Sequence, residues 1–539
     1  MKWQKRGNAT TLEQYVQEKT GKTFEEFVWV NRQYNIKNLD VVAGILTEAA
    51  KTGRHVTIVG DYDADGIGSL AIFTMLCSVM GIRYSLIIPK RISEGYGLSD
   101  KIIKRIPDNE ILITVDNGIT ATEQIKEAKR RGMLTIIMDH HIAGDEIPDA
   151  DVIIDPAAFP GTADFSYYCG AGLAFKLAEY LLGNHPIIRT MSAYAALSTI
   201  GDSVPLIEDN RRIVIQGMAE IHVGANIPKG LKKLMELCNI NEYSTAEDLA
   251  FCLVPCINAP GRLIDDGSKL AMTTILSNGD KSDELAEQLI SLNKERKDIV
   301  TGILESVDIE SMKTDGSNII IYYNETLQEG LVGLLAGRFS EETGKPAFVL
   351  CKTQEGLIKS SGRAKDNTIN LKEILDACSD LFIKYGGHKK AAAFSLKEEN
   401  LNAFVEKIKT LVPAFVPDDN RYYDFEIQAK DLISLSDKMD ETAPFGEGIP
   451  CPVVAIKNIR LGNKYGNKIS MLGDKEQHIK LHFLCFNAIG FNMGDRKNEI
   501  EDAEFVDLLG RVEKNHYNGK TYYQLRLEDF KPSERNSRK

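Results

Sequence analysis

The chain has 539 residues, 43% of them hydrophobic and 26% charged, a balance typical of a globular protein with three or four domains. It has no run of about 18 apolar residues and no apolar segment behind its basic start, so we expect neither a transmembrane helix nor a secretory signal. The formal net charge of −12 argues mildly against a nucleic-acid partner, although a local basic groove is compatible with it. Nine scattered cysteines without a CxxC motif predict reduced thiols in a cytosolic protein.

Apolar runs alternate with helical segments in the first half of the chain. After a short, mixed N-terminal extension (1–40), strand-like runs lie at 55–59, 111–115, 134–138 and 152–154, and helices are predicted at 68–80 and 120–132. This alternation predicts an α/β domain with a parallel, doubly wound sheet over residues 41–215. In such sheets ligands bind at the carboxyl ends of the strands, and each of these runs is followed there by an aspartate.

The rest of the chain divides into further parts. Residues 216–315 are mainly helical in pattern, with an amphipathic helix near 285–292 that could connect two domains. Residues 316–412 have the mixed pattern of a second α/β unit, and 412–419 is typical of a linker. From 418 to 539, short alternating runs separated by Gly and Asn turns predict a small β-barrel of the OB type.

The sharpest motif is GDYDADGIGS, residues 60–69, in which Asp61, Asp63 and Asp65 alternate ahead of a glycine. The same spacing opens an EF-hand loop. An EF-hand, however, needs a bidentate glutamate at loop position twelve, which is Ile72 here, and it follows a helix instead of a strand. A solvated acidic turn is the plain alternative. Carboxylates this close repel one another unless cations or protons offset their charge, which favours a metal site.

Three more candidate motifs lie further along the chain. Asp116 opens an Asp-Asn-Gly turn, Asp139 precedes the pair His140–His141, and Asp202 follows an apolar helix. Alone, an Asn-Gly turn or a single histidine is ordinarily structural. Together they offer carboxylate oxygens and imidazole, which suit Mn²⁺ or Mg²⁺ better than a thiolate zinc site does. Such a set fits two ions about 3.5–4 Å apart, and therefore hydrolysis of a phosphodiester or phosphoanhydride bond.

These motifs resemble those of the DHH phosphoesterases. DYDADG, DNG, DHH and GDSVPL are similar to the family's four motifs, and the likeness to its RecJ branch of single-stranded-DNA exonucleases runs along nearly the whole chain. Further matching segments are PKRISEGYGL (89–98), CGAGLAFKL (169–177), INAPGR (257–262), SSGR (360–363) and YGGHKKAAAF (385–394). Two segments resemble the family's oligonucleotide-binding barrel: APFGEGIPCPV (443–453) and HIKLHFLCFNAIGFNMG (478–494).

The resemblance implies a site for two Mn²⁺ ions, with Mg²⁺ as the alternative metal. The implied metal ligands are Asp63, Asp65, Asp116, His140 and Asp202, which together with His141 form the implied catalytic set. Asp116 would bridge the two ions, and Asp61 would hold the loop or reach a metal indirectly. His141 would contact the scissile phosphate, and Asp139 would orient the neighbouring imidazole.

The resemblance also implies how a nucleic-acid strand is held. The implied substrate-binding residues are Arg91, Tyr96, Arg262, Ser361, Arg363 and His388. Arginine forks suit the 5′ end because they bond phosphate bidentately, and His388 would face the same cleft from the second α/β unit. In one respect the chain departs from its relatives. They usually carry Trp-His ahead of Gly330, where this chain has Leu327-Gln328, and glutamine cannot carry a proton or a positive charge.

We therefore expect a 5′→3′ exonuclease for single-stranded DNA that acts in DNA repair and recombination, the direction being implied by the resemblance alone. Tyr517, Tyr522 and Tyr523 either stack unpaired bases or belong to the barrel core. Two alternatives stay open: a phosphodiesterase for short oligonucleotides or cyclic dinucleotides, and a DNA-binding scaffold without catalysis. We expect a cytoplasmic monomer without membrane association. A helicase or a single-stranded-DNA-binding protein is a candidate partner.

Overall fold

The computed structural model describes residues 2–30, 32–365, 369–413, 420–517 and 520–534. From the N-terminus, the elements form a short leading segment, a parallel α/β unit, a helical connector, a second α/β unit and a C-terminal mixed sheet. The leading segment contains β1 Trp3–Lys5, α1 Leu12–Thr20, α2 Phe24–Val28 and α3 Leu39–Thr52. No helix among the described residues is both long and apolar enough to cross a bilayer.

The first α/β unit is built on five parallel strands in the spatial order β3-β2-β4-β5-β6. These strands are β2 Val56–Val59, β3 Tyr84–Ile87, β4 Ile111–Val115, β5 Leu134–Met138 and β6 Val152–Ile154. Its helices are α4 Ala64–Met80, α5 Asp100–Ile103, α6 Thr122–Arg130, α7 Gly170–Leu182 and α8 Ile187–Gly201.

Alternate side chains of the central strands enter two different cores. In β4, Ile111, Ile113 and Val115 pack with residues of α4 and α7, whereas Leu112 packs with residues of α5 and α6. Burial on both faces is the reason these strands are almost continuously apolar. The predicted doubly wound sheet is confirmed. Strand β3, which comes in addition to the four predicted, is a half-exposed edge strand and therefore lacks the continuous apolar pattern.

Helix α4 begins four residues before the predicted range 68–80, because Asp63 caps it. The Asp63 carboxylate accepts the N–H groups of Asp65 at 3.0 Å and Gly66 at 3.2 Å, a typical N-cap arrangement. A side chain at Gly66 would come within 2.4 Å of the Asp61 backbone nitrogen, so the turn requires glycine there. The cap places Asp65 in the first helical turn, where it is buried, instead of in a loop.

The connector is helical, as predicted. Its helices are α9 Glu208–Val223, α10 Lys229–Leu237, α11 Ala246–Asp248, α12 Val254–Leu263, α13 Gly267–Leu276, α14 Ser282–Ser306 and α15 Ile309–Thr314, with a π-helical turn at Leu249–Leu253. The amphipathic helix predicted near 285–292 is part of α14. Helix α14 packs on α10 and α12, so the connector forms a layered helical block.

The second α/β unit has a mixed five-stranded sheet, in the order β10-β11-β9-β8-β7, in which β7 and β8 are parallel and the other pairs antiparallel. Its strands are β7 Ile320–Tyr323, β8 Ala347–Lys352, β9 Leu357–Arg363, β10 Phe382–Gly387 and β11 Ala391–Lys397. Its helices are α16 Val332–Thr343, α17 Leu371–Asp376 and α18 Leu401–Leu411. Of the predicted linker 412–419, residues 414–419 lie outside the described part of the chain.

The C-terminal unit is a seven-stranded mixed sheet in the order β13-β14-β18-β19-β17-β16-β15, and the predicted OB-like domain is confirmed. Its elements are β12 Arg421–Tyr423, β13 Phe425–Glu426, α19 Leu432–Thr442, β14 Val454–Arg460, β15 Ile469–Leu472, β16 His478–His482, β17 Asn487–Gly490, β18 Phe505–Tyr517 and β19 Lys520–Pro532. Tyr522 is exposed and Tyr523 packs against the core. The side chain of Tyr517 lies outside the described structure.

The leading segment is bound to the C-terminal unit. Strand β1 pairs in parallel with β12, and the Trp3 indole donates to the Asp529 carboxylate at 2.6 Å. The fully buried Arg211 of α9 donates to the carbonyl oxygens of Phe27 at 3.1 Å and Ala443 at 2.8 Å. Buried guanidinium groups require such partners, so Arg211 joins the leading segment, the connector and the C-terminal unit.

Candidate metal centre

The carboxylates and imidazoles that the sequence singled out converge at the carboxyl edge of the first sheet. Their donor atoms form three groups, and within each group the atoms lie within 4.8 Å of one another. The groups are Asp61, Asp63 and Asp116; Asp65, His140 and Asp202; and Asp116, Asp139, His140 and His141. Because Asp116 and His140 each belong to two groups, the donors make one continuous cluster.

Asp65 is held by the first turn of α7. Its Oδ2 accepts the N–H of Gly170 at 2.6 Å and its Oδ1 accepts the N–H of Ala171 at 2.8 Å. These are free amides at the positive end of the helix dipole, where an anion is favoured. A Cβ at Gly170 would lie 2.5 Å from the Cβ of Asp116, so only glycine allows α7 to approach both carboxylates. These two amides were not predicted, and the CGAGL match (169–173) was the signal that contained them.

His140 lies between the acidic groups. Its Nε2 is 3.0 Å from Oδ1 of Asp116 and 3.6 Å from Oδ2 of Asp65, and its Nδ1 is 3.7 Å from Oδ2 of Asp202. Burial lowers the pKa of His140, which favours the neutral imidazole that binds metal ions. Asp116 adopts a φ of 62°, a strained conformation for a residue with a side chain. Such strain is found mainly at functional sites.

Several of these carboxyl groups carry unfavourable charge in the protein alone. Burial, followed by the charge of Asp63, raises the pKa of Asp61 well above its usual range, and burial and Asp65 do the same for Asp116. Burial and Asp65 raise the pKa of Asp202 to about 8. In addition, Oδ1 of Asp61 is buried and has no hydrogen-bond partner in the part of the chain that the structure describes. A divalent cation would offset the repulsion between these carboxylates and would bind the unpartnered oxygen. These residues therefore fit Mn²⁺ or Mg²⁺.

His141 is oriented by the aspartate two residues before it. Its Nδ1 lies 2.7 Å from Oδ1 of Asp139, whose Oδ2 accepts the N–H of Ile119 at 2.9 Å. Tyr96 donates its hydroxyl to the Asp116 carbonyl oxygen at 3.1 Å and lies 3.2 Å from Nδ1 of His141. Burial opposes a charge on His141, but the bond to Asp139 outweighs it and raises the pKa to about 9. The bond to Asp139 therefore favours the protonated ring, a form suited to an anionic substrate.

The three arginines predicted to bind phosphate lie near one another beside this cluster. The guanidinium of Arg91 lies 4.6 Å from the centroid of the Tyr62 ring, and Arg363 donates to the Ser361 hydroxyl at 2.8 Å. Burial lowers the pKa of Arg262 to about 10 and also lowers that of Arg363, and the charge of Arg91 adds to both effects. Guanidinium groups that destabilise one another form a site that an anion would stabilise.

Helix α12 connects the arginines to helix α4, which carries the candidate ligand Asp65. The side-chain oxygen of Asn258 accepts the N–H of Ala64 at 2.7 Å, while Arg262 donates to the carbonyl oxygen of Gly330 at 3.2 Å. A Cβ at Gly330 would lie 2.1 Å from the Arg262 carbonyl oxygen, so the second α/β unit also approaches α12 closely. Asn258 was not predicted as a functional residue, although it lies within the INAPGR match (257–262).

Two other residues that the sequence singled out make no described side-chain contact with the donor cluster or the arginines. His388 is exposed in the β10–β11 turn and its backbone N–H donates to Ala391, while no hydrogen bond or ion pair joins its ring to the donor cluster among the described residues. Gln328 is exposed and precedes the short helical turn at Glu329–Leu331, while the neighbouring Leu327 is buried. The role of His388 therefore stays a prediction.

Comparison with known proteins assigns the chain to a family. Residues 55–201 match the DHH family N-terminal domain, 316–413 the DHHA1 domain and 423–529 the RecJ OB domain. The single-stranded-DNA-specific exonuclease RecJ of Bacillus subtilis is 30% identical over 93% of this chain, and the match spans 64% of that relative's length.

Solved structures give the same result. The structure of exonuclease RecJ bound to manganese is 30% identical, with a TM-score of 0.60, and the match covers 71% of this chain and 96% of that one. RecJ of Thermus thermophilus in complex with Mn²⁺ is 24% identical, with a TM-score of 0.83, and the match covers 99% of this chain and 80% of that one. The chain therefore belongs to the RecJ family of the DHH phosphoesterases.

Proposed function

We propose that this chain is a metal-dependent exonuclease that degrades single-stranded DNA from the 5′ end, in DNA repair and recombination. The observation that carries the proposal is the continuous cluster of donors, from Asp61 to Asp202, directly beside a group of three arginines without carboxylate partners among the described contacts. The printed names of the relatives support the substrate, and the manganese in two similar structures supports Mn²⁺ as the metal.

The donor cluster would hold two metal ions. The proposed ligands are Asp63, Asp65, Asp116, His140 and Asp202. Asp116 and His140 each belong to two donor groups, and Asp116 is the proposed shared ligand because a carboxylate has two oxygens that can bind two ions. When bound, the ions would supply an activated water and polarise the phosphoryl oxygen. The amides of α7 engage one lone pair of each Asp65 oxygen, so the carboxylate keeps its orientation with or without metal.

The strand would be held by its terminal phosphate. Arg91, Arg262 and Arg363 provide planar donors for that group, and Ser361 already bonds Arg363. The imidazolium of His141 would lie against the phosphate to be cleaved, with Asp139 holding its ring in place. A terminal phosphate in the arginine site would fix the position of the next bond, and the resemblance to the RecJ exonucleases implies that this terminus is the 5′ end.

The remaining parts of the proposal concern the whole chain. We propose that residues 41–215 are the catalytic domain, that 216–315 and 316–412 close the cleft around one strand, and that 418–539 bind unpaired DNA. The unpaired cysteines suit a reducing compartment, so we place the protein in the cytoplasm, as a monomer that works with a helicase or a single-stranded-DNA-binding protein.

An end-labelled degradation assay tests the proposal. We expect 5′-phosphorylated single strands to be shortened from the 5′ end when Mn²⁺ is present, and duplexes and metal-free samples to remain intact. Asp116→Asn should abolish both cleavage and the heat of Mn²⁺ binding, whereas the exposed Asp145→Asn should change neither. Cleavage in the presence of excess EDTA would contradict the mechanism.

The two alternatives make different predictions in the same assay. A phosphodiesterase for short substrates would hydrolyse a dinucleotide at least as well as a long strand. A DNA-binding scaffold would bind the strand without shortening it. The complete donor cluster and the close approach of both α/β units to α12 favour the exonuclease over both alternatives.

A further inference from the structure

Two thiols meet at the end of α12 that lies away from Arg262. Cys238 is the C-cap residue that follows α10, and Cys256 lies in the first turn of α12. Their sulfur atoms are 3.6 Å apart. Both thiols donate to the carbonyl oxygen of Cys252 in the π-helical turn, Cys238 at 3.5 Å and Cys256 at 3.2 Å. Cys238 is half-buried and Cys256 is buried, so Cys238 lies on the solvent side of the pair.

Polar and basic groups around Cys256 lower the pKa of its thiol. The side-chain amide of Asn293 donates to its sulfur at 3.0 Å, and the amide oxygen accepts two hydrogen bonds from Arg296, at 3.1 and 2.9 Å. The bond from Cys238 lowers the pKa of Cys256 against the effect of burial, and Asn293, Lys297 and Arg296 lower it further. Positive surroundings of this kind distinguish reactive cysteines from inert core cysteines.

We propose that Cys238 and Cys256 are a reversible redox pair, which a hydroperoxide converts into a disulfide. In the first step the thiolate sulfur attacks the terminal oxygen of the hydroperoxide, the O–O bond breaks, and a sulfenic acid and a hydroxide or alkoxide form. In the second step the other sulfur attacks the sulfenic sulfur, the S–S bond forms, and water leaves with the thiol proton. The two cysteines lose two electrons, which the hydroperoxide gains.

The bond would change the position of α12. The sulfur atoms must move from 3.6 Å to a bonding distance of about 2.05 Å, so one or both helix ends shift by an amount on the order of 1 Å. Asn258 and Arg262 lie two and six residues beyond Cys256 on the same helix. Oxidation would therefore displace the contact with α4 and the arginine site together. This consequence rests on the proposed function, whereas the disulfide itself does not.

Peptide mapping of the full chain tests the redox pair. The reduced protein is treated with hydrogen peroxide, remaining thiols are alkylated, and the digest is analysed by mass spectrometry. We expect a linked Cys238–Cys256 peptide that dithiothreitol removes, and the same peptide in Cys485→Ser, which lacks an exposed thiol elsewhere. In Cys238→Ser, dimedone should label Cys256. Absence of the linked peptide, or preferential pairing of Cys252, would overturn the proposal.

The same samples test the effect on α12. Peroxide should raise KM for 5′-phosphorylated strands by roughly ten- to a hundredfold in the parent protein, since displacements near 1 Å in a site cost up to about 10²-fold. Cys238→Ser and Cys256→Ser should resist this change, and reduction should restore the parent. Equal inhibition of the parent and both variants would refute the coupling. An inactive reduced protein would count against the proposed function, while the mapping result would stand by itself.

Discussion

Replacing Gly170 by alanine tests how closely α7 must approach the metal centre. The added Cβ would lie 2.5 Å from the Cβ and 2.9 Å from the Cα of Asp116, whereas carbon atoms normally approach to about 3.5–4.0 Å. Asp116 or the helix must therefore move by about 1 Å. Because the Gly170 and Ala171 amides also bind Asp65, the movement affects two proposed metal ligands. We expect kcat to fall by roughly 10²-fold, with weaker Mn²⁺ binding.

Gly172→Ala is the matched control, two residues further along the same helix. Its Cβ would meet Tyr168 at 3.5 Å, an ordinary contact, and alanine is favoured over glycine in a helix by about 1 kcal/mol. Overpacking at Gly170 lowers the free energy of unfolding by about 1–3 kcal/mol, and the higher helix propensity of alanine offsets part of this loss. Both variants should therefore fold. Mn²⁺ titration calorimetry and single-turnover cleavage separate the effects. Parent-like metal affinity and cleavage in Gly170→Ala would refute the reasoning.

Three other perturbations have defined outcomes. Arg262→Lys should raise KM for 5′-phosphorylated strands about tenfold, since lysine lacks the bidentate fork, while Arg338→Lys on the exposed face of α16 should leave steady-state kinetics unchanged. Mn²⁺ at 100 times its Kd should stabilise the fold by about 2.7 kcal/mol for each bound ion, measured by thermal unfolding with an EDTA control; no shift would contradict a preformed site.

The third is a pH effect on stability. Burial opposes the charge of Asp209, but Arg212 and Lys176 outweigh it and hold the pKa of this carboxyl below its usual value in the folded protein. The contribution of the Asp209 charge to folding stability is therefore complete above about pH 4. It is lost as the pH falls through the pKa that Asp209 has in the folded protein. Urea unfolding should show Asp209→Asn less stable by about 1–3 kcal/mol at pH 7, with a smaller difference near pH 3. If the stability difference between the parent and Asp209→Asn grew as the pH fell, the predicted direction of the pH effect would be wrong.

The class of the fold and the kind of site followed from local patterns. Continuous apolar runs predicted the buried parallel strands, and carboxyl ends of parallel strands share one edge, so Asp61, Asp116 and Asp139 were expected to meet. Helix α4 begins four residues before its predicted start, because the capping bonds of Asp63 extend it and an apolar pattern does not report them. The apolar pattern does not predict strand β3, because an edge strand is buried on fewer sides and its pattern is weaker.

The amino-acid sequence by itself determined which donors this protein has and at which strand ends they lie, because strand burial and side-chain chemistry are local properties. Only the tertiary structure decided that the Gly170 and Ala171 amides hold Asp65, that Asn258 holds the start of α4, and that the leading segment joins the C-terminal unit. Those contacts join residues about a hundred or more positions apart. They depend on how helices and sheets pack, and no local spacing encodes that packing.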